Sequence, residues 1–164
     1  MNKIPPRLVL ASRSPRRKDL LTHAGYDFRV LPPESDQEGG PCDGESAAEL
    51  VERLAEQKAL AVAAHLETAV VVGCDTVVEC EGSIMGKPAS ETAARRMLLQ
   101  LRGGEHRVYS GLCLVEMPGA RKWKGVSVTT LVMDSISDEQ LEQYLQSGGW
   151  AGKAGAFGYQ DGLE

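Results

Sequence analysis

The stretch Ala69-Val-Val-Val-Gly-Cys-Asp-Thr-Val-Val78 constrains this chain more than any other. Its β-branched run is too apolar for a half-exposed strand, so it reads as a central strand covered on both faces. One carboxylate, Asp75, interrupts it. An ionised carboxylate in apolar surroundings is costly unless it is paired, hydrogen-bonded or metal-bound. Two readings follow. Asp75 caps a turn where the strand emerges, or it is a catalytic or metal-binding carboxylate at the carboxyl end of the strand, where open α/β sheets collect ligands.

Around this strand, 164 residues with 42% hydrophobic and 25% charged content fit one globular domain spanning 1–164. A net charge of −5 argues against a general nucleic-acid or membrane-surface role, which needs a basic face. No transmembrane-length apolar run and no signal-peptide core occur, so a cytoplasmic protein is expected. Cys42, Cys74, Cys80 and Cys113 form no Cys-x-x-Cys pair and read as reduced, buried thiols. A zinc site from Cys74, Cys80 and His106 would lack recognisable ligand spacing.

Arg7–Ala11 reads as a first strand, after which Ser14 is placed to cap a helix and Pro15 to begin it. Arg16, Arg17 and Lys18 then crowd cations into a first turn, where the helix dipole favours anions. An external phosphate resolves that conflict, and a phosphate site is favoured over a solvated basic turn. Gly25 ends the helix, and a second strand is expected over Tyr26–Leu31. The loop Pro32–Gly44 and its flank carry Glu34, Asp36, Glu38, Asp43 and Glu45, any of which could help hold a divalent ion.

Ser46-Ala-Ala-Glu49 is a capping-box pattern opening a helix to about Leu66, with Leu50, Leu54, Lys58 and Val62 on one face. A lysine in such a stripe either snorkels to solvent or reaches a phosphate beside the sheet. Glu81-Gly82 reads as a tight turn, and Ser83–Pro88, carrying Lys87, leads into a helix over Glu91–Leu101. Strands are expected over Glu105–Val115 and Lys122–Met133, antiparallel through Pro118-Gly119, and a capped helix from Ser137 to about Gln146. The tail is glycine-dense, with Lys153 and Gln160 as polar contacts, a composition that gives flexibility or lets backbone approach a ligand.

Four blocks occur in an order that resembles the Maf family of nucleoside triphosphate pyrophosphatases, also described as septum-formation proteins. They are Leu10-Ala-Ser-Arg-Ser-Pro-Arg-Arg17, Leu54-Ala-Glu-Gln-Lys-Ala59, Gly73-Cys-Asp-Thr-Val-Val78 with Gly86-Lys-Pro88, and Lys153-Ala-Gly-Ala-Phe-Gly-Tyr-Gln160. The resemblance implies an α/β fold like that of the inosine triphosphatases, an elongated mixed sheet flanked by helices with a nucleotide cleft between two lobes. It implies metal-assisted hydrolysis of a triphosphate to monophosphate and pyrophosphate, with Mg2+ or Mn2+, and a homodimer.

By position it makes Asp75 the catalytic carboxylate, as general base or metal ligand, and puts Ser12, Arg16, Lys58, Lys87 and Lys153 at phosphate- or substrate-contacting positions. Arg16, Thr76 and Gln160 match the dTTP/UTP branch rather than the 7-methyl-GTP branch. A Gln160 amide offers a donor and an acceptor to the carbonyl and N3–H edge of uracil or thymine. Where the family usually carries Asp-Glu, this chain reads Asp36-Gln37-Glu38, which makes Glu38 the candidate second metal ligand. It stops at Glu164, short of the strand and helix that close family members. The alternatives are modified pyrimidine or purine triphosphates as substrates, or a nucleotide-binding regulator of cell division that turns over weakly.

Overall fold

The computed structural model describes residues 8–34 and 39–159. In chain order these form β1 (Leu8–Ala11), α1 (Pro15–His23), β2 (Phe28–Val30), α2 (Ala47–Ala63), β3 (Ala69–Cys80) and β4 (Ser83–Met85). There follow α3 (Glu91–Leu101), β5 (Glu105–Met117), β6 (Arg121–Val132), α4 (Asp138–Gln146) and a 3-10 turn, Ala154–Ala156. The fold is mixed α/β. The sheet runs β2-β1-β3-β5-β6, with β4 paired to β3; β1 is parallel to both β2 and β3, and β4 is antiparallel to β3.

Local chemistry accounts for the element ends. Ser14 caps α1 through its side chain, Pro15 takes the first turn, and Gly25 follows the helix at φ +78°. Capping boxes open α2 at Ser46/Glu49 and α4 at Ser137/Gln140. Several boundaries differ from expectation: the central strand runs on to Cys80, β5 to Met117, and β6 spans Arg121–Val132 rather than Lys122–Met133. The second strand shrinks to Phe28–Val30, because only Leu8–Leu10 offers it register partners. The long helix stops at Ala63, three residues early, where Ala64 takes the C-cap position. The residues after Glu81-Gly82, expected only to lead into a helix, first form β4, since both turn residues have positive φ (50° and 78°), the geometry of a hairpin turn.

Packing divides the chain into two compact units: residues up to Asp75 with Ser110–Val126, and Thr76–Tyr109 with Ser127 onward. In the first unit, Val9, Ala11, Ala69, Val71, Cys113 and Val115 from the strands bury against Ala55, Ala59, Val62 and Ala63 of α2. Two glycines bring that helix unusually close. A Cβ on Gly73 would lie 2.2 Å from the Ala55 carbonyl oxygen, and one on Gly111 would lie 2.2 Å from that of Val51. In the second unit Val78, Met85, Leu98, Leu101, Leu141, Tyr144, Leu145 and Ala156 share one core. Full burial of each Leu contributes about 1.5–3 kcal/mol before entropy is counted.

Burial along β3 is not alternating. Val71-Val72-Gly73 and Val77-Val78 are consecutive buried positions, as expected of a strand covered on both sides. All four cysteines are free thiols, but Cys42 is exposed because it lies in the loop before α2 rather than in a strand. Among the described residues, no helix is long and apolar enough to cross a membrane.

Candidate functional site

The parallel ladder between β1 and β3 ends at Ala11 opposite Gly73. Beyond it the two chains behave differently. β1 gives way to Ser12 and the turn into α1, whereas β3 continues through Asp75 to Cys80. Asp75 is therefore interior to its own strand, not at the strand's end as expected, yet it lies two residues past the carboxyl end of the parallel ladder. Antiparallel pairing with β4 extends the strand beyond the point where β1 leaves it.

Asp75 is 4% exposed. Lys58 of α2 donates from Nζ to Asp75 Oδ1 at 2.5 Å, and the two side chains are 14% and 5% exposed. The lysine stripe position thus resolves toward the sheet, because the stem runs along the same α2 face as buried Leu54 and Val62. The small residues Ala55 and Ala59 against Gly73 let α2 sit low enough for that contact. Gly73 and Asp75 are two apart on one strand and so share its face.

Beside the pair, Ser12 is buried and holds the β1–α1 turn by accepting from the Ser14 backbone N–H at 3.2 Å. Arg17 donates from Nη1 to Ser12 Oγ at 3.2 Å and to the Cys74 carbonyl at 2.8 Å. It ties the start of α1 to the residue preceding Asp75. Of the three first-turn cations, Arg17 is half-buried, and Arg16 and Lys18 are exposed. Burial pushes the Cys74 thiol up, partly opposed by the charges of Arg17 and Lys58, and burial does the same to Cys80. Among the described residues no three His, Cys, Asp or Glu side chains cluster as a metal cage.

Thr76 follows Asp75 and is half-buried. Lys87 is exposed, directly before buried Pro88, and Lys153 is half-buried at the start of the 3-10 turn. Within the second unit, a hydrogen bond from the Gly155 N–H to the Gly86 carbonyl at 3.1 Å joins the two segments that carry these lysines. Of the acidic loop, Glu45 accepts from Arg53 at 2.6 and 2.7 Å and from the Cys42 N–H at 2.9 Å. Those bonds, the Arg53 side chain first, lower its carboxyl to about 2. Glu45 is thereby committed to α2. Glu38, Asp36 and Gln160 lie outside the described residues.

Sequence reasoning gave three residues that shape these segments no individual role. Arg17 carried a signal, standing three residues after the cap Ser14 on the side of α1 that turns back toward Ser12. Gly73 was signalled by alanines four apart in α2 facing a strand glycine. Tyr144, whose hydroxyl donates to the Ala156 carbonyl at 3.1 Å, had no local signal.

A family model described as Maf-like protein matches residues 7–164. Among curated relatives, the dTTP/UTP pyrophosphatase of Rhodopirellula baltica is 46% identical over 158 residues, 96% of this chain and 70% of the relative. The dTTP/UTP pyrophosphatase of Dictyoglomus thermophilum is 41% identical over 153 residues, 93% of this chain and 79% of the relative. Among solved structures, a HAM1 protein from Coxiella burnetii matches at a TM-score of 0.51 and 13% identity, over 76% of this chain and 71% of that one. This last likeness is one of fold.

Proposed function

The chain belongs to the Maf family, and from that membership we propose that it hydrolyses nucleoside triphosphates, dTTP and UTP foremost, to the monophosphate and pyrophosphate. The role is clearance of unwanted nucleotides from the cytoplasmic pool. The observation that carries the reading is the buried Lys58–Asp75 pair, set beside a serine hydroxyl and a basic helix start.

In this reading Asp75 accepts a proton from the attacking water. The water oxygen bonds to one of the two phosphorus atoms flanking the α–β bridging oxygen, and the bond from that phosphorus to the bridge breaks. Pyrophosphate and the nucleoside monophosphate leave. Lys58 holds the carboxylate in place and keeps positive charge next to the phosphates. Ser12 and Arg16 bind phosphate oxygens at the start of α1, where the helix dipole favours an anion. Lys87 and Lys153 are assigned to phosphate binding by their places in the family's motifs. Arg16, Thr76 and Gln160 select the base, Gln160 by presenting one donor and one acceptor to uracil or thymine.

The residues fit a small hard cation. Asp75 supplies one carboxylate oxygen, and Mg2+ or Mn2+ in such sites completes its shell from substrate phosphates and water rather than from a protein cage. Glu38 is the second proposed ligand. When bound, the cation supplies charge neutralisation at the phosphates.

The test is pyrophosphate release from dTTP, UTP, GTP and 7-methyl-GTP with Mg2+ or Mn2+, repeated after chelation. The reading expects dTTP and UTP to lead and chelation to abolish release. Equal turnover of all four would remove the base assignment, and no release from any would remove the activity. Gln160→Glu is expected to lower kcat/KM for dTTP and UTP by roughly ten- to a hundredfold, with a smaller loss for the guanine nucleotides.

A further inference from the structure

We propose that Tyr144 and Gly155 are positioning residues that set Lys153 against the Lys87 segment; the proposal rests on the reading of those two lysines as phosphate-binding. Among the described residues, the tail that carries Lys153 forms one regular element, the turn Ala154–Ala156. It packs on α3 and against the second core, and two backbone hydrogen bonds fix the turn itself. The Ala156 N–H closes the turn on the Lys153 carbonyl at 3.1 Å, and the Gly155 N–H reaches the Gly86 carbonyl at 3.1 Å. That second bond is one residue from Lys87 and two from Lys153. Two long cationic side chains are thus anchored on either side of a single backbone hydrogen bond.

Two features hold the bond in place. Gly155 has φ +66°, and a Cβ there would lie 2.8 Å from Val78 Cγ2 and 3.2 Å from Val78 Cβ. A Cβ there forces the Val78 side chain or the turn to shift, and any shift of the turn carries with it the N–H that Gly86 accepts. From the other side, the Tyr144 hydroxyl on α4 donates to the Ala156 carbonyl, and the Tyr144 ring packs against Phe157 with centroids 5.7 Å apart. Ala156 is fully buried in this seat. Neither Tyr144 nor Gly155 carries a charge, so both act through Lys153 and Lys87.

The experiment compares Tyr144→Phe, Gly155→Ala and Gly155→Ala with Val78→Ala in the full chain. Glu142→Gln, which weakens the α3–α4 ion pair with Arg95 and leaves the tail alone, is the stability control. Tyr144→Phe removes one hydrogen bond from the seat, and an interaction of that size corresponds to about a fivefold rise in KM for dTTP. Gly155→Ala is expected to raise KM about tenfold or more, with kcat changed far less, since the contact serves binding in ground and transition states alike. Val78→Ala is expected to recover part of that rise, and Glu142→Gln to leave KM at the parent value.

Hydrogen exchange at the Gly155 amide is the independent readout and is expected to accelerate in Tyr144→Phe. Parent-like KM in both Tyr144→Phe and Gly155→Ala, or an unchanged Gly155 exchange rate, overturns the proposal. If the parent protein fails to turn over any triphosphate, the functional reading fails separately. Inorganic tripolyphosphate binding, measured by calorimetry, then decides the positioning claim, with the same ranking of variants supporting it and equal affinities overturning it.

Discussion

Lys58 and Asp75 meet at 2.5 Å across the packing of α2 on β3, and almost all of both side chains is out of solvent. A pair of this kind gains little over an apolar isostere, but breaking one half leaves the other charged and buried. Lys58→Met is therefore expected to destabilise the protein by about 3 kcal/mol, and Lys58→Met with Asp75→Asn by less than Lys58→Met alone. Urea unfolding of Lys58→Met, Asp75→Asn and the double variant measures the coupling. Strict additivity would mean that the pair contributes nothing jointly.

The distance depends on Gly73. A Cβ there would stand 2.2 Å from the Ala55 carbonyl oxygen, 2.7 Å from the Ala59 nitrogen and 2.8 Å from the Ala59 Cβ. Two of these are helix backbone atoms, which cannot rotate aside. Overpacking typically costs about 1–3 kcal/mol, and Gly73→Ala belongs at or above the upper end. Because the displaced helix carries Lys58, turnover is expected to fall further than the folded fraction does. Gly82→Ala provides the comparison, with φ +78° and no neighbour within 4 Å; it is expected to cost about 1–2 kcal/mol and to leave turnover unchanged.

His106 on β5 predicts the response to acid. It is buried, its Nδ1 has no hydrogen-bond partner among the described residues, and burial holds its pKa below the ordinary histidine value against an opposing bond to the Gly104 backbone. The unfolded chain therefore takes up a proton at higher pH than the folded one. Stability is full above the unfolded pKa, near about 6.5, and declines as pH falls through that value toward the folded pKa. The urea midpoint is expected to be lower at pH 5.5 than at pH 7.5, and His106→Leu to shrink the difference. An undiminished difference in His106→Leu would assign the acid response to other groups.

The parts of this molecule that were legible in its sequence are those governed by local chemistry. Ser14-Pro15, Ser46/Glu49 and Ser137/Gln140 announced three helix starts, and the valine run announced the central strand. The α3 bounds were read correctly from Glu91 to Leu101. Contacts between distant segments were legible only in part. Asp75 stood out as a carboxylate among valines, but nothing local distinguished Lys58 as its partner from a lysine snorkelling to solvent. Arg17 was legible only as one of three first-turn cations, because its bond to the Cys74 carbonyl spans 57 positions. Glycines gave the least away. Gly155 looks like other glycines in the chain until the atoms facing it are known.

Steady-state pyrophosphate release from dTTP by the parent protein and by Asp75→Asn tests the account most directly. Asparagine keeps the shape and removes the charge. The account predicts that turnover falls at least about a hundredfold, the scale of losing a general base, while nucleotide still raises the melting temperature of the variant. Release by Asp75→Asn at the parent rate would show that the buried carboxylate is structural and would contradict the account at its centre.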